Sequence, residues 1–173
     1  MHGRKANSNR VITHMSWLGL QVAKLFGQGL PSFTAQAEAE ACLFRERDER
    51  LQRIVILAAS SHVFAADFTP ESLKNLELWY FELWEADGFG RLGISREDFE
   101  RCMAMYFCEV AVRNCRDANW EVMEYGFERG RYEIGVKRGL SHLMRMRFTD
   151  HYKQPKNKRR QKIHREYQEH YGT

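Results

Sequence analysis

Apolar residues recur at steps of four, three, four and three from Val11 through Met15, Leu18 and Val22 to Leu25. That spacing marks one face of a helix, and the face is predicted to dock on a core. Gly27, Gly29 and Pro31 end it. Helix-favouring residues then run from Thr34 to about Ala65. Residues 35–41 are nearly all Ala, Glu and Gln, 45–53 are densely charged, and 54–60 are almost wholly apolar. A helix passing from solvated to buried along its length is predicted, with Glu46–Arg50 and Glu49–Arg53 paired one turn apart. Thr69-Pro70-Glu71 is a helix start: Thr caps, Pro suits the first position, and Glu suits the positive end of the dipole. Leu73, Leu76, Tyr80, Leu83 and Trp84 follow at helical spacing, and Gly88 and Gly90 stop the run. Ser95 and Asp98 resemble a capping box for the next helix, which should bury Phe99, Cys102, Met103, Tyr106 and Val110 and end near Asn114.

After Asn114 the apolar period drops to two. Trp120 and Val122 alternate with Glu121 and Met123; Tyr132, Ile134 and Val136 with Glu133 and Lys137; Met144, Met146 and Phe148 with Arg145 and Arg147. These read as strands joined by turns at 126–130 and 138–139. Helices followed by a small antiparallel sheet give an α+β class: helices on a three- to four-stranded sheet, then a short basic helix around 162–171. The organisation read from this is a flexible tail over 1–10, a single α+β domain over 11–152, and a basic connector and helix over 153–173.

Charge sharpens that division. Residues 151–173 hold seven Lys and Arg against two Glu, leaving 20 basic and 21 acidic residues before them. The formal +4 of the 173-residue chain therefore belongs to the C-terminal segment, and a near-neutral body offers no nucleic-acid surface by charge alone. No apolar run approaches the ~20 residues of a membrane helix, and no membrane partner is expected. Cys42, Cys102, Cys108 and Cys115 include no CxxC and no zinc spacing with His, so they read as reduced, mostly buried thiols of a cytoplasmic protein.

Few residues carry chemistry. The segment 85–99 has the look of an EF-hand between helices, but either register puts Phe89 where a calcium loop needs oxygen, so it reads as a Gly-rich connection. The seven histidines form no HExxH or HxH, and His62 reads as a core or boundary residue. No nucleophile elbow and no phosphate loop is present, no cofactor is implied, and the chain is read as a non-enzyme. Glu109 stands out as a carboxylate in the apolar block 103–112. Burial of a lone carboxylate is costly, and Arg113 lies one turn on in the favourable order. The pair is either a structural tie to the first strand or a polar contact in a groove. The basic residues Lys156, Lys158, Arg159, Arg160, Lys162 and Arg165 could grip phosphates, or could solvate a terminal helix through their stems.

Residues 72–151 carry in order a Leu-containing helix from Leu73 to Leu83, the element Tyr106-Phe107-Cys108-Glu109-Val110 with Arg113 after it, and Trp120 opening a strand and short meander. This order resembles small bacterial proteins of unknown function, some of them encoded as immunity partners of polymorphic toxins. The pattern has Gly where this chain has Cys108. The resemblance implies a non-catalytic protein-binding module, an immunity-type inhibitor that neutralises a toxin by occlusion, with Glu109, Arg113 and Trp120 as partner contacts. The alternative expectation is a nucleic-acid-associated accessory protein acting through the basic segment.

Overall fold

The computed structural model describes residues 17–139, 141–144 and 160–172. The predicted tail, the strand positions Met146 and Phe148, and Lys156, Lys158 and Arg159 lie outside them. The class is α+β, with an antiparallel sheet. Helix α1 spans Trp17–Gln28, α2 Gln36–Ala58, α3 Ser72–Glu85 and α4 Arg96–Asn114. Strands β1 (Ala118–Glu124), β2 (Tyr132–Arg138) and β3 (Ser141–Met144) follow, and α5 is Lys162–Tyr171. The sheet order is β1-β2-β3, with Trp120 opposite Val136 and Val122 opposite Ile134. Among the described residues no helix is long and apolar enough to cross a membrane.

Helix α4 is the hub. Its apolar residues run round its circumference, and everything from Cys102 to Cys108 is buried. Such a helix needs neighbours on every side, and α2, α5, β1 and β2 supply them. Its start obeys the local rule read from sequence: Ser95 Oγ accepts from the Asp98 amide at 3.0 Å and donates to the Asp98 carboxylate at 2.8 Å. The start of α3 does too, Thr69 Oγ1 accepting from the Ser72 amide at 3.2 Å. At the α3 C-terminus the left-handed residue is Asp87 (φ 47°), and neither neighbouring glycine takes that conformation. Gly88 serves a different need: a Cβ there would lie 2.9 Å from Leu83 Cδ2.

Three helix faces differ from the pattern-based reading. In α1, Val22 and Leu25 are 58% and 66% exposed. The docked side is Ala23, Phe26 and Gly27: Tyr125 donates to the Ala23 carbonyl at 3.1 Å, packs on Phe26, and approaches Gly27 so closely that a Cβ would lie 2.8 Å from its ring. Absence of a side chain at Gly27, not the longest apolar stripe, decides which face docks. In α2 there is no gradient from solvated to buried. One stripe of Ala39, Leu43, Ile54 and Ala58 is buried along the whole helix, while Val55 and Ile56 in the apolar stretch are exposed. The third difference is α5, whose Ile163, Tyr167 and Tyr171, one turn apart, join the main core with residues of α3 and α4. Both tyrosine rings meet Phe107 of α4.

The start of α5 is fastened by a buried carboxylate. Glu77 of α3 is 2% exposed, and its Oε2 accepts from the Ile163 amide at 3.0 Å. The amides of Gln161 and Lys162 bind the same carboxylate. These are the donors a helix N-terminus leaves unsatisfied, here met by a side chain 84 positions earlier than Gln161. Gln161, in the left-handed region at φ 52°, turns the chain into this position.

Candidate functional site

The structure gathers Glu109, Arg113 and Trp120 into one array. Helix α4 stops at Asn114, and a tight turn, closed by the Ala118 amide on the Cys115 carbonyl at 3.1 Å, sends β1 back along the last helical turns. Trp120 then stands beside Glu109. Its indole Nε1 donates to Glu109 Oε2 at 2.8 Å, while Arg113 Nε donates to Oε1 at 2.7 Å. Both carboxylate oxygens have a donor, which is how a polar side chain only 15% exposed is accommodated in an apolar block. The tie between α4 and the first strand thus runs through Glu109.

Arg113 continues the array outward. Its guanidinium carbon lies 3.7 Å from the Phe68 ring centroid, with the side chain 51% exposed. One face rests on an aromatic ring and the Nε edge is fixed by Glu109. Among the described residues the terminal Nη groups have no hydrogen-bond partner. On the other flank, Arg47 of α2 lies 5.4 Å from the Trp120 ring and 4.8 Å from the Phe44 ring. Cations and aromatic rings therefore alternate from Phe44 through Arg47 and Trp120, across Glu109, to Arg113 and Phe68.

Phe68 is held in a conformation that bulky residues avoid, φ 59°. Its amide donates to Tyr106 Oη at 2.9 Å, its carbonyl accepts from Asn114 Nδ2 at 2.8 Å, and its ring stacks on Tyr106 at 4.9 Å. Ser72 Oγ donates to the Thr69 carbonyl at 2.6 Å, so the 2.7 Å contact between Ser72 and Tyr106 has the phenol as donor. Burial raises the Tyr106 pKa against the lowering effect of these hydrogen bonds, and the phenol stays neutral as that role requires. Strained backbone that is held by several interactions at once is a mark of functional positions. Sequence reasoning missed Phe68, because nothing local in Asp67-Phe68-Thr69 announces a left-handed phenylalanine.

The basic segment presents no comparable array among the described residues. Lys162 lies 3.8 Å from Glu166, and the charge of Arg165 acts on Glu77. Arg160 is exposed at the start of α5. His62, expected at the core or its boundary, has its side chain 85% exposed, 4.0 Å from Glu82. All four cysteines are thiols; Cys102, Cys108 and Cys115 are buried, and burial pushes Cys102 up to about 11.

Comparison with known proteins places the array in a family context. The family model described as "Uncharacterised protein YwmA" matches residues 32–171, which include Phe68, Glu109, Arg113 and Trp120. The chain is also similar to the uncharacterized protein YwmA of Bacillus subtilis (strain 168), 27% identical over 118 residues, covering 68% of this chain and 74% of that protein. No solved structure matches. The expected likeness to small bacterial proteins of unknown function is met at that level, and the match spans both the hub helix and the helix that closes the core. The chain belongs to the YwmA family.

Proposed function

We propose that this chain is a non-catalytic, cytoplasmic protein-binding module whose contact surface is the array centred on Arg113, Glu109 and Trp120. The observation that carries the reading is the state of Arg113. Its guanidinium is stacked on Phe68 and fixed by Glu109, yet half-exposed with its Nη edge unengaged among the described residues. A pre-oriented planar fork loses little entropy on meeting a carboxylate. Arg and Trp dominate the few residues that carry most of an interface's energy. An acidic group of the partner would meet Arg113, with Trp120 and Arg47 flanking it. Glu109 serves as the positioning residue, because both its oxygens are already engaged. The immunity-type form of this reading, inhibition of a toxin by occlusion, draws on the order of features from Tyr106 to Trp120 and needs no catalytic group.

The test is affinity capture without crosslinking from lysate of the encoding bacterium, with and without nuclease treatment and at two salt concentrations, using the full chain and its Arg113→Gln and Trp120→Phe variants. The expected result is a stoichiometric protein partner that survives high salt. Arg113→Gln should reduce its capture about tenfold while still melting cooperatively. A partner indifferent to both variants overturns the assignment of the surface. Capture of nucleic acid alone, with affinity falling log-linearly with salt, overturns the module and favours the reading based on the basic segment.

A further inference from the structure

Among the described residues, three guanidinium groups rest on aromatic rings: Arg47 on Phe44 and Trp120, Arg96 on Trp84, and Arg113 on Phe68. They differ in what is left open. Arg47 gives Nε and Nη2 to Asp48 Oδ1 at 2.8 and 2.7 Å, so its fork is already closed on a carboxylate. Arg96 is half-exposed, but its Nε lies 3.7 Å from Glu100, too far for a hydrogen bond to hold its plane. Arg113 is both held and open. Phe68 covers one face at 3.7 Å and Glu109 accepts from Nε at 2.7 Å, yet half of the side chain is exposed. What its guanidinium leaves to solvent is the outer face of the plane and the edge carrying the two Nη groups.

That remainder selects a ligand. A guanidinium pairs bidentately either through Nε and one Nη or end-on through both Nη groups. Glu109 occupies the first edge, so the end-on edge remains, and its two parallel N–H groups match the two oxygens of a carboxylate. Asp67 of the adjoining loop does not fill that edge; its Oδ1 accepts from the amide and hydroxyl of Thr69 at 2.9 and 2.8 Å. A phosphoryl group fits less well. Its third oxygen gains no donor from Trp120 Nε1, which is given to Glu109, and its second charge would face the Glu109 carboxylate. The outer face is weakly hydrated and can take an aromatic ring, as Phe68 takes the inner one. We propose that the partner brings a short acidic and aromatic segment to this point, its Asp or Glu carboxylate end-on at the Arg113 Nη groups and an adjacent aromatic ring over the outer face. This rests on the reading of the array as a protein-contact surface, and names the chemistry that the partner supplies there.

The probe is an N-acetylated, C-amidated tripeptide of glutamate flanked by two phenylalanines. It is titrated into the isotope-labelled full chain and followed by NMR at the Arg113 Nε–H and the Trp120 indole N–H. Comparison peptides carry glutamine or phosphoserine for the glutamate, or leucine for both phenylalanines. A saturable shift in the millimolar range is expected, with the glutamine and leucine forms each about fivefold weaker and the phosphoserine form no tighter. Arg113→Lys keeps the charge but has neither fork nor plane, and should bind the probe as weakly as Arg113→Gln, read at Trp120 in variants that still melt cooperatively. Equal binding of the glutamine form overturns the carboxylate, and equal binding of the leucine form overturns the outer ring. Tighter phosphoserine binding, or full binding by Arg113→Lys, overturns the end-on match. If no peptide shifts these signals while a lysate partner is still lost with Arg113→Gln, this inference fails and the contact surface stands; if neither responds to Arg113, both fail.

Discussion

Replacing Glu77 separates two effects that the structure sets against each other. Its carboxylate is taken out of water, and burial raises its pKa above the ordinary 4.5 despite three backbone donors and the charge of Arg165. The ionised charge is therefore a net cost, while its role as acceptor is a gain. Glu77→Ala leaves the amides of Gln161, Lys162 and Ile163 without their acceptor; at ~1–3 kcal/mol for each donor left buried, partly offset by removal of the charge, a loss of about 2–4 kcal/mol follows. Glu77→Gln keeps one acceptor oxygen and should lose only about 1 kcal/mol. The sign with pH follows from linkage. Between the unfolded and the higher folded pKa the native state holds more protons, so native stability falls as pH rises through that window, and the cost persists above it. Gln has no such dependence. The wild-type advantage over Glu77→Gln should therefore be largest at acidic pH and narrow as pH rises, in urea denaturation followed by circular dichroism from about pH 4 to 8. A gap that widens with rising pH would show that the charge itself stabilises the helix terminus and would refute this reasoning. An alanine variant as stable as wild type would refute the cap.

Four other outcomes follow. Trp120→Phe removes the donor to Glu109 Oε2 and should cost about 1–2 kcal/mol, with clear non-additivity against Glu109→Gln in a double-mutant cycle; simple additivity would mean that the array is not one unit. Deleting 160–173 removes Ile163, Tyr167 and Tyr171 from the core; at ~1.5–3 kcal/mol each this approaches the whole stability of a domain, so the truncated chain should lose its cooperative melt. Asp87→Gly relieves a left-handed residue on the surface and should raise stability by about 0.5–1 kcal/mol, read as an increase in urea midpoint at unchanged slope. Gly27→Ala drives a methyl into the Tyr125 ring and should release α1, read as faster amide exchange in residues 19–28 while the rest of the molecule keeps its protection.

What was legible in the sequence obeys rules that act over a few residues. The Ser95–Asp98 cap, the Thr69-Pro70 start and the Glu109–Arg113 pair are all set by spacing along one helix, and each forms. Trp120 could be singled out from sequence, but its bond to Glu109 depends on where the chain returns after Asn114. Phe68 was not legible at all, because its conformation is imposed by Tyr106 and Asn114, 38 and 46 positions away. Helix α5 was legible in part: Ile163 and Tyr167, one turn apart, could pack on the core, while the surrounding charge pointed to a solvated segment, and only the structure shows Tyr171 joining them against Phe107. Glu77, between Leu76 and Leu78, gave no sign that it would be buried, since its partners are amides far along the chain.

The closing role of α5 also dictates an order of events during synthesis. Helices α2, α3 and α4 leave the ribosome well before residues 163–171 exist, and until then Phe107 and the facing side of α3 have no cover. Glu77 is likewise made long before the amides it accepts from. The nascent chain therefore passes through a stage in which a carboxylate and an apolar face are both open to water and to other proteins. Native structure is committed only when Tyr171 arrives. Slow translation anywhere between α4 and α5 should lengthen that exposure to chaperones and proteases, because the cover of Phe107 is made only with α5.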